Sequence, residues 1–337
     1  MTAYSVLDQA PIRAGGAAGH PFHEMVALAR HVDGLGFARF WIAEHHALGS
    51  AGCAAPEILI GPVAAATTRL RVGSGGILLP NHRPLHVAEQ FRTLEALHPG
   101  RIDLGIGRSE GATDDAVVLA LGRPGDTGHG AGFDAQLDQL LAFGGARELP
   151  SGDPLASVRA VPQDVPLPPV FLLGSSASSA VTAARRGLGY GFAAHTNPDG
   201  AAPALRAYRE QFVPAHPGDR PHAILALKVM VGEDDAQAEA LAAPWNLAMI
   251  RHRAGAPGPM GTVEEALAHR LTAAEVAAQD KVDLRADVVG GPERVGALLA
   301  RSVAAAQADE VIAITNTFSP DERRASYTRL AELVGLG

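Results

Sequence analysis

Eight times along the chain, a short apolar run of strand length gives way to a longer stretch with helical periodicity. The strands are read at Tyr4–Gln9, Phe37–Ala43, Leu70–Leu79, Ile102–Ile106, Val170–Leu173, Tyr190–Ala194, Ile224–Val231 and Val311–Thr315. Helices follow at Pro21–Leu35, Glu57–Thr67, Pro84–Leu97, Asp134–Phe143, Ala177–Gly187, Ala201–Phe212, Asp235–Arg251 and Asp321–Val334. In the first of them Phe22, Met25, Val26, Ala29 and Val32 share one face, and Pro84 suits a first helical turn. Eight strand–helix units predict parallel strands closed into a (β/α)8 TIM barrel spanning residues 1–337 as one domain. A doubly wound open sheet is the alternative. It usually carries a GxGxxG turn after its first strand, and the Arg13–Gly19 loop has glycines without that spacing.

Two stretches interrupt the rhythm. Gly144–Pro169 is rich in proline and glycine and reads as an irregular crossing segment, because neither half has enough strands to close alone. Ala254–Val289 is too long for a simple connection between the seventh and eighth strands. It contains helical pieces at Val263–Leu271 and Ala273–Ala278 and would sit at the barrel mouth, either as a lid or as a packed excursion.

Composition narrows the possible partners. There are 28 basic and 36 acidic residues, a net charge of -8 with no basic stripe, which argues against nucleic acid. The single cysteine, Cys53, excludes an internal disulfide. No basic-apolar leader opens the sequence and no uncharged apolar run reaches the length of a membrane span, so a cytoplasmic protein is expected.

In a barrel the chemistry collects at the C-terminal ends of the strands. Strand two ends in Glu44-His45-His46, strand three in Gly73-Ser74-Gly75-Gly76 and strand four in Gly105-Ile106-Gly107-Arg108-Ser109. Strand five ends in Gly174-Ser175-Ser176-Ala177-Ser178-Ser179, and strand six at His195. The serines open a helix whose free N–H groups and dipole favour an anion. A phosphate would also want a guanidinium, and Arg108 is within plausible reach. An ordinary serine-capped helix beside a surface arginine would look the same. Adjacent residues on a strand point to opposite faces, so His45 and His46 are poorly placed to share a metal, and no metal site is expected. One of the pair is the readiest acid–base group in the sequence. The glycines of strand three mark either a close approach of backbone to a flat ligand or a tight corner of the barrel. P-loop, HExxH, CxxC and GxSxG patterns are all missing, which leaves kinase, zinc-protease and α/β-hydrolase readings unsupported.

In order and spacing these segments resemble the bacterial luciferase-like monooxygenase family. The likeness runs through residues 40–46 (FWIAEHH), 70–80 (LRVGSGGILLP), 86–90 (HVAEQ), 99–108 (PGRIDLGIGR), 173–176 (LGSS) and 289–295 (VGGPERV). The resemblance implies an FMN-dependent oxidoreductase: reduced FMN at the barrel mouth, molecular oxygen as co-substrate, a small organic substrate and a separate flavin reductase. His45 matches the family histidine beside the flavin ring that assists its oxygen chemistry. Gly75 and Gly76 match the position of a non-proline cis peptide beneath the ring. Arg108, Ser175, Ser176 and Ser179 match the phosphate-binding positions. Gly107 stands where luciferase has a pocket cysteine, which argues against light emission from a long aldehyde. The resemblance also implies a homodimer. A deazaflavin-dependent dehydrogenase or reductase of the same superfamily is the alternative, and a non-catalytic flavin-binding relative a further one. Trp41, Phe22 and Trp245 are candidate pocket aromatics equally at home in a core.

Overall fold

The computed structural model describes residues 2–109, 115–122, 132–279, 282 and 287–337. Among the described residues, nine strands run as β1 Ala3–Asp8, β2 Arg39–Ile42, β3 Arg71–Leu78, β4 Ile102–Gly107, β5 Val170–Gly174, β6 Gly189–Ala193, β7 Ala223–Val231, β8 Val288–Gly290 and β9 Glu310–Ile314. Between and after them lie α1 His20–Gly34, α2 Pro56–Ala66, α3 Pro84–Leu97, α4 Asp115–Leu121, α5 Phe133–Phe143 and α6 Ala177–Arg185. The second half carries α7 Ala201–Glu210, α8 Asp235–Arg253, α9 Val263–Ala268, α10 Ala273–Gln279, α11 Pro292–Ala306 and α12 Pro320–Val334.

Every strand pairing is parallel. The wall runs from β1 in order to β7, then to β9, which returns to β1, so eight strands close the predicted barrel. Parallel strands covered on both faces need continuous apolar runs. Accordingly all six residues of β4 and all five of β9 are buried. Strand β8 lies outside the closed wall, pairing only with Val229–Val231 at the far end of β7. Among the described residues, no helix is long and apolar enough to cross a membrane.

The irregular segments are tied down locally. In the crossing segment, Arg92 of α3 donates to the carbonyls of Ala160 at 2.6 Å and Gly144 at 2.8 Å. In the insertion, Met260 is fully buried; its N–H reaches Ile12 O at 2.9 Å and its carbonyl takes Ala14 N at 2.9 Å. At Met260 the insertion is therefore packed against the loop after β1. Residues 280, 281 and 283–286 of the insertion lie outside the described residues.

The third strand carries the departure that shapes the mouth. Ser74 pairs with Leu104 and Ile77 with Ile106, so Gly75 and Gly76 together oppose Gly105 in a bulge, and the peptide bond between them is cis. A Cβ on Gly76 would sit 2.7 Å from the Gly105 carbonyl, and one on Gly75 would meet Leu7 Cδ1 at 2.5 Å and Trp41 Cβ at 3.1 Å. Of the two explanations the sequence leaves open, packing against the Gly105 backbone is by itself enough to require glycine at Gly76, whereas at Gly75 the nearest atom is the flexible tip of Leu7.

Candidate active site

The C-terminal strand ends enclose an open cavity of about 1260 Å³, mouth solvent included. Its lining brings together all seven predicted site residues: His45, Gly75, Gly76, Arg108, Ser175, Ser176 and Ser179. Gly107 lines it as well.

Glu44, His45 and His46 follow β2 and diverge as expected for neighbours in an extended segment. Glu44 is buried and accepts from His46 Nε2 at 2.9 Å, His82 Nε2 at 2.9 Å and Leu78 N at 2.8 Å. Burial alone would raise its pKa, but these donors hold the carboxyl down at about 2. His46 is thus a bracket for Glu44, behind the cavity wall. His45 instead lines the cavity, with Nε2 3.2 Å from Gln9 Nε2. Burial depresses its imidazolium to about 4, Glu44 opposing and His46 and His252 adding to the effect. The ring is therefore uncharged at neutral pH. Cys53 accepts the backbone N–H of His45 at 3.0 Å through its carbonyl, while burial pushes its thiol far above the usual range and removes it as a nucleophile.

Across the cavity, the strand-to-helix turn after β5 supplies the serines. Ser176 caps α6, its Oγ accepting from Ser179 N at 3.3 Å. Ser179 is buried and donates its hydroxyl proton to Ser176 O at 2.8 Å, with Tyr190 OH at 2.9 Å. Its hydroxyl is committed to bracing the turn, and Ser176 Oγ is engaged by Ser179 N and lies 3.0 Å from Ser178 Oγ, so the Ser175 hydroxyl and the N–H groups of Ala177 and Ser178 are the lining left for a ligand. A Cβ at Gly174 would meet Ser179 Cβ at 2.7 Å, so glycine there is what lets the helix approach β5.

Arg108 is exposed just past β4 and has no side-chain partner among the described residues. It lines the same cavity as the serines, and an adjoining one with Ser179 and Thr182. Burial pushes the Tyr190 phenol up to about 12, with the Arg108 guanidinium pulling the other way. An uncommitted cation and a helix N-terminus thus share one wall, an arrangement suited to a phosphate dianion. Among the described residues, no three His, Cys, Asp or Glu side chains converge as metal ligands.

The protein matches the family model described as "Luciferase-like monooxygenase" over residues 2–310. The chain belongs to the luciferase-like monooxygenase family. It is 41% identical over 260 residues to the "Luciferase-like monooxygenase" of Escherichia coli K12, covering 77% of this chain and 75% of that protein. It is 32% identical over 340 residues to the "N-acetyl-S-alkylcysteine monooxygenase" of Bacillus subtilis, covering 99% and 98%. The crystal structure of apo-MsnO8 superposes with a TM-score of 0.89 at 36% identity, over 100% of this chain and 99% of that one. More distant structures share the fold alone. They include the oxygenating constituent of 3,6-diketocamphane monooxygenase in complex with FMN, at 18% identity and a TM-score of 0.70. A coenzyme F420-dependent tetrahydromethanopterin reductase from Methanopyrus kandleri stands at 17% and 0.65.

Sequence reasoning missed several residues of the mouth. Gln9 and Asn316 lie just past β1 and β9, and Asn316 Nδ2 donates to Gln9 Oε1 at 2.7 Å. The strand-end rule applied to the first and last barrel strands finds both. Lys228 on β7 pairs with Asp287 at 3.2 Å beside a smaller cavity of about 300 Å³, walled also by Trp245 and Asn316. Of the candidate aromatics, only Trp245 lines a cavity there. Trp41 is core, its indole N–H on Asp103 Oδ2 at 3.1 Å, and Phe22 is partly exposed on α1.

Proposed function

We propose that this protein is a flavin-dependent monooxygenase that uses reduced FMN, delivered by a separate reductase, and molecular oxygen to oxygenate a small organic substrate. The observation that carries this reading is the pairing, in one cavity, of Arg108 and the N-terminus of α6 with a histidine that burial keeps uncharged. The residues present fit FMN. Arg108, Ser175, Ser176 and the N-terminus of α6 would hold its phosphate, and the bulged backbone at Gly75–Gly76 offers a flat wall without side chains. When bound, reduced flavin supplies the electron pair that activates oxygen.

The chain's own residues do the rest. Arg108, which has no ion pair among the described residues, would balance the phosphate charge. Glu44, fixed by His46, His82 and Leu78 N–H, anchors the turn that carries His45. His45 stays neutral and shares a proton with the group that reacts in the mouth. The walls around it are apolar at Ala43, Leu78, Leu173 and Ala193, which limits water near the reacting atoms. Nothing in the one barrel described resembles a nicotinamide fold, which supports an external source of reduced flavin.

Anaerobic titration with reduced FMN and with a reduced deazaflavin, each followed by absorbance, tests the reading. Tight binding of reduced FMN with weak binding of the deazaflavin is the expected result. The reverse preference would replace the monooxygenase by a hydride-transferring dehydrogenase or reductase. Binding of FMN with no turnover of oxygen would leave a flavin-binding relative.

A further inference from the structure

Three neighbouring strands of the wall, in the order β9–β1–β2, each place one polar side chain just past the strand: Asn316, Gln9 and His45. They join into a chain whose start is Arg323 of α12, which is buried. Its guanidinium is engaged on all three nitrogens. Nε donates to Thr315 O at 2.6 Å, Nη1 to Asp8 Oδ2 at 3.1 Å and Nη2 to Asn316 Oδ1 at 3.5 Å.

A guanidinium has donors only, so Asn316 must turn its oxygen toward Arg323. That leaves the Asn316 amide nitrogen facing Gln9, where it donates to Oε1 at 2.7 Å. With its oxygen so occupied, Gln9 presents its amide nitrogen to His45 Nε2 at 3.2 Å. An amide NH2 only donates, so Nε2 of His45 must be the unprotonated ring nitrogen. The proton of the neutral ring then sits on Nδ1, which has no protein partner among the described residues.

We propose that Arg323, acting through Asn316 and Gln9, fixes His45 as the Nδ1–H tautomer, so that the ring offers the cavity a hydrogen-bond donor and not a base. The three are positioning residues, each acting through the next. The ligand feature this fits is an oxygen carrying negative charge, for which a neutral imidazole N–H is a polarising donor. The tautomer itself follows from the hydrogen bonds alone; its catalytic meaning rests on the function proposed above. The titratable groups around the ring are Glu44 and His46 beside it, His252 and His195, and burial keeps the ring uncharged among them.

The test is ¹⁵N NMR of the full-length protein with ring-labelled histidine, near neutral pH and without flavin. The His45 signals are assigned by their loss in His45→Asn. A protonated and an unprotonated ring nitrogen resonate far apart, so the tautomer is read directly. In the wild type Nδ1 is expected to be the protonated nitrogen. Gln9→Glu replaces the facing amide by a carboxylate, which accepts from Nε2–H; the two signals should exchange and the ring should titrate at higher pH. Asn316→Asp forces Gln9 to turn its amide over, and should exchange the His45 signals without touching a neighbour of that ring.

An Nε2–H ring in the wild type overturns the proposal, as does an unchanged tautomer in either folded variant. The wild-type spectrum decides the matter even if both variants fail to fold. A catalytically silent His45→Ala would remove the functional reading while leaving these spectra as predicted, so the two failures are separable.

Discussion

Replacing Arg108 by alanine should weaken FMN binding and leave riboflavin binding alone. The side chain is exposed and engages no other side chain among the described residues, so its loss costs the folded protein almost nothing. The whole effect then falls on the ligand. A hydrogen bond to a charged group contributes about 1.5–3 kcal/mol. The Arg108 wall is open to solvent, which places the value toward the lower end, about 1.5–2 kcal/mol, or roughly 10- to 30-fold in Kd. Riboflavin has the same ring and no phosphate, so titrating both flavins against both proteins isolates the phosphate contact. The FMN preference of the wild type should also fall with salt, and Arg108→Lys should recover only part of it. Equal losses for FMN and riboflavin, or none for FMN, would show that Arg108 does not hold the phosphate.

Three further outcomes follow from the same geometry. Gly76→Ala drives a Cβ to 2.7 Å from the backbone of Gly105, which cannot yield as a side-chain tip would; urea melts should show a loss of about 1–3 kcal/mol or more, and an unchanged midpoint would contradict the packing described. Asp33→Ala removes the carboxylate that accepts the N–H groups of Thr68, Arg69 and Leu70 at 2.9–3.0 Å ahead of β3, and should cost about 2–3 kcal/mol in the same assay. His45 and His195 are both held near 4 by burial, whereas an unfolded imidazole titrates at about 6.5. The unfolded chain therefore binds protons first as pH falls. The stability the pair contributes is complete above about 6.5 and is lost on the way down to about 4. Between pH 7 and 5 the loss should be about 2 kcal/mol for the pair after allowance for solvent in the mouth, and smaller in His195→Asn.

Much of the barrel was legible because its signals are local. Pro84 and the periodic run after it give α3 the same ends in sequence and structure. The strand-end rule gathers His45, Arg108 and the serines from the sequence alone. What escaped depends on contacts far along the chain. Strand β8 is three residues long and exists because β7 runs on past the closed wall and leaves an edge to pair with. Helix α11 is absent from the helices read in the sequence, although Pro292 sits at its first turn and Val295 and Leu299 give it a buried face. The glycines of β3 were ambiguous for a similar reason. Only the position of Gly105 shows that the wall itself excludes a side chain at Gly76. The chain from Arg323 to His45 spans the two ends of the sequence, and no spacing announces it.

The most direct measurement is stopped-flow absorbance after mixing oxygenated buffer with anaerobic protein carrying reduced FMN. The account predicts a transient, neither reduced nor oxidised flavin, that outlasts the reaction of free reduced FMN with oxygen and decays faster in His45→Ala. A trace that follows free flavin, with little reduced FMN bound at the start, would contradict it.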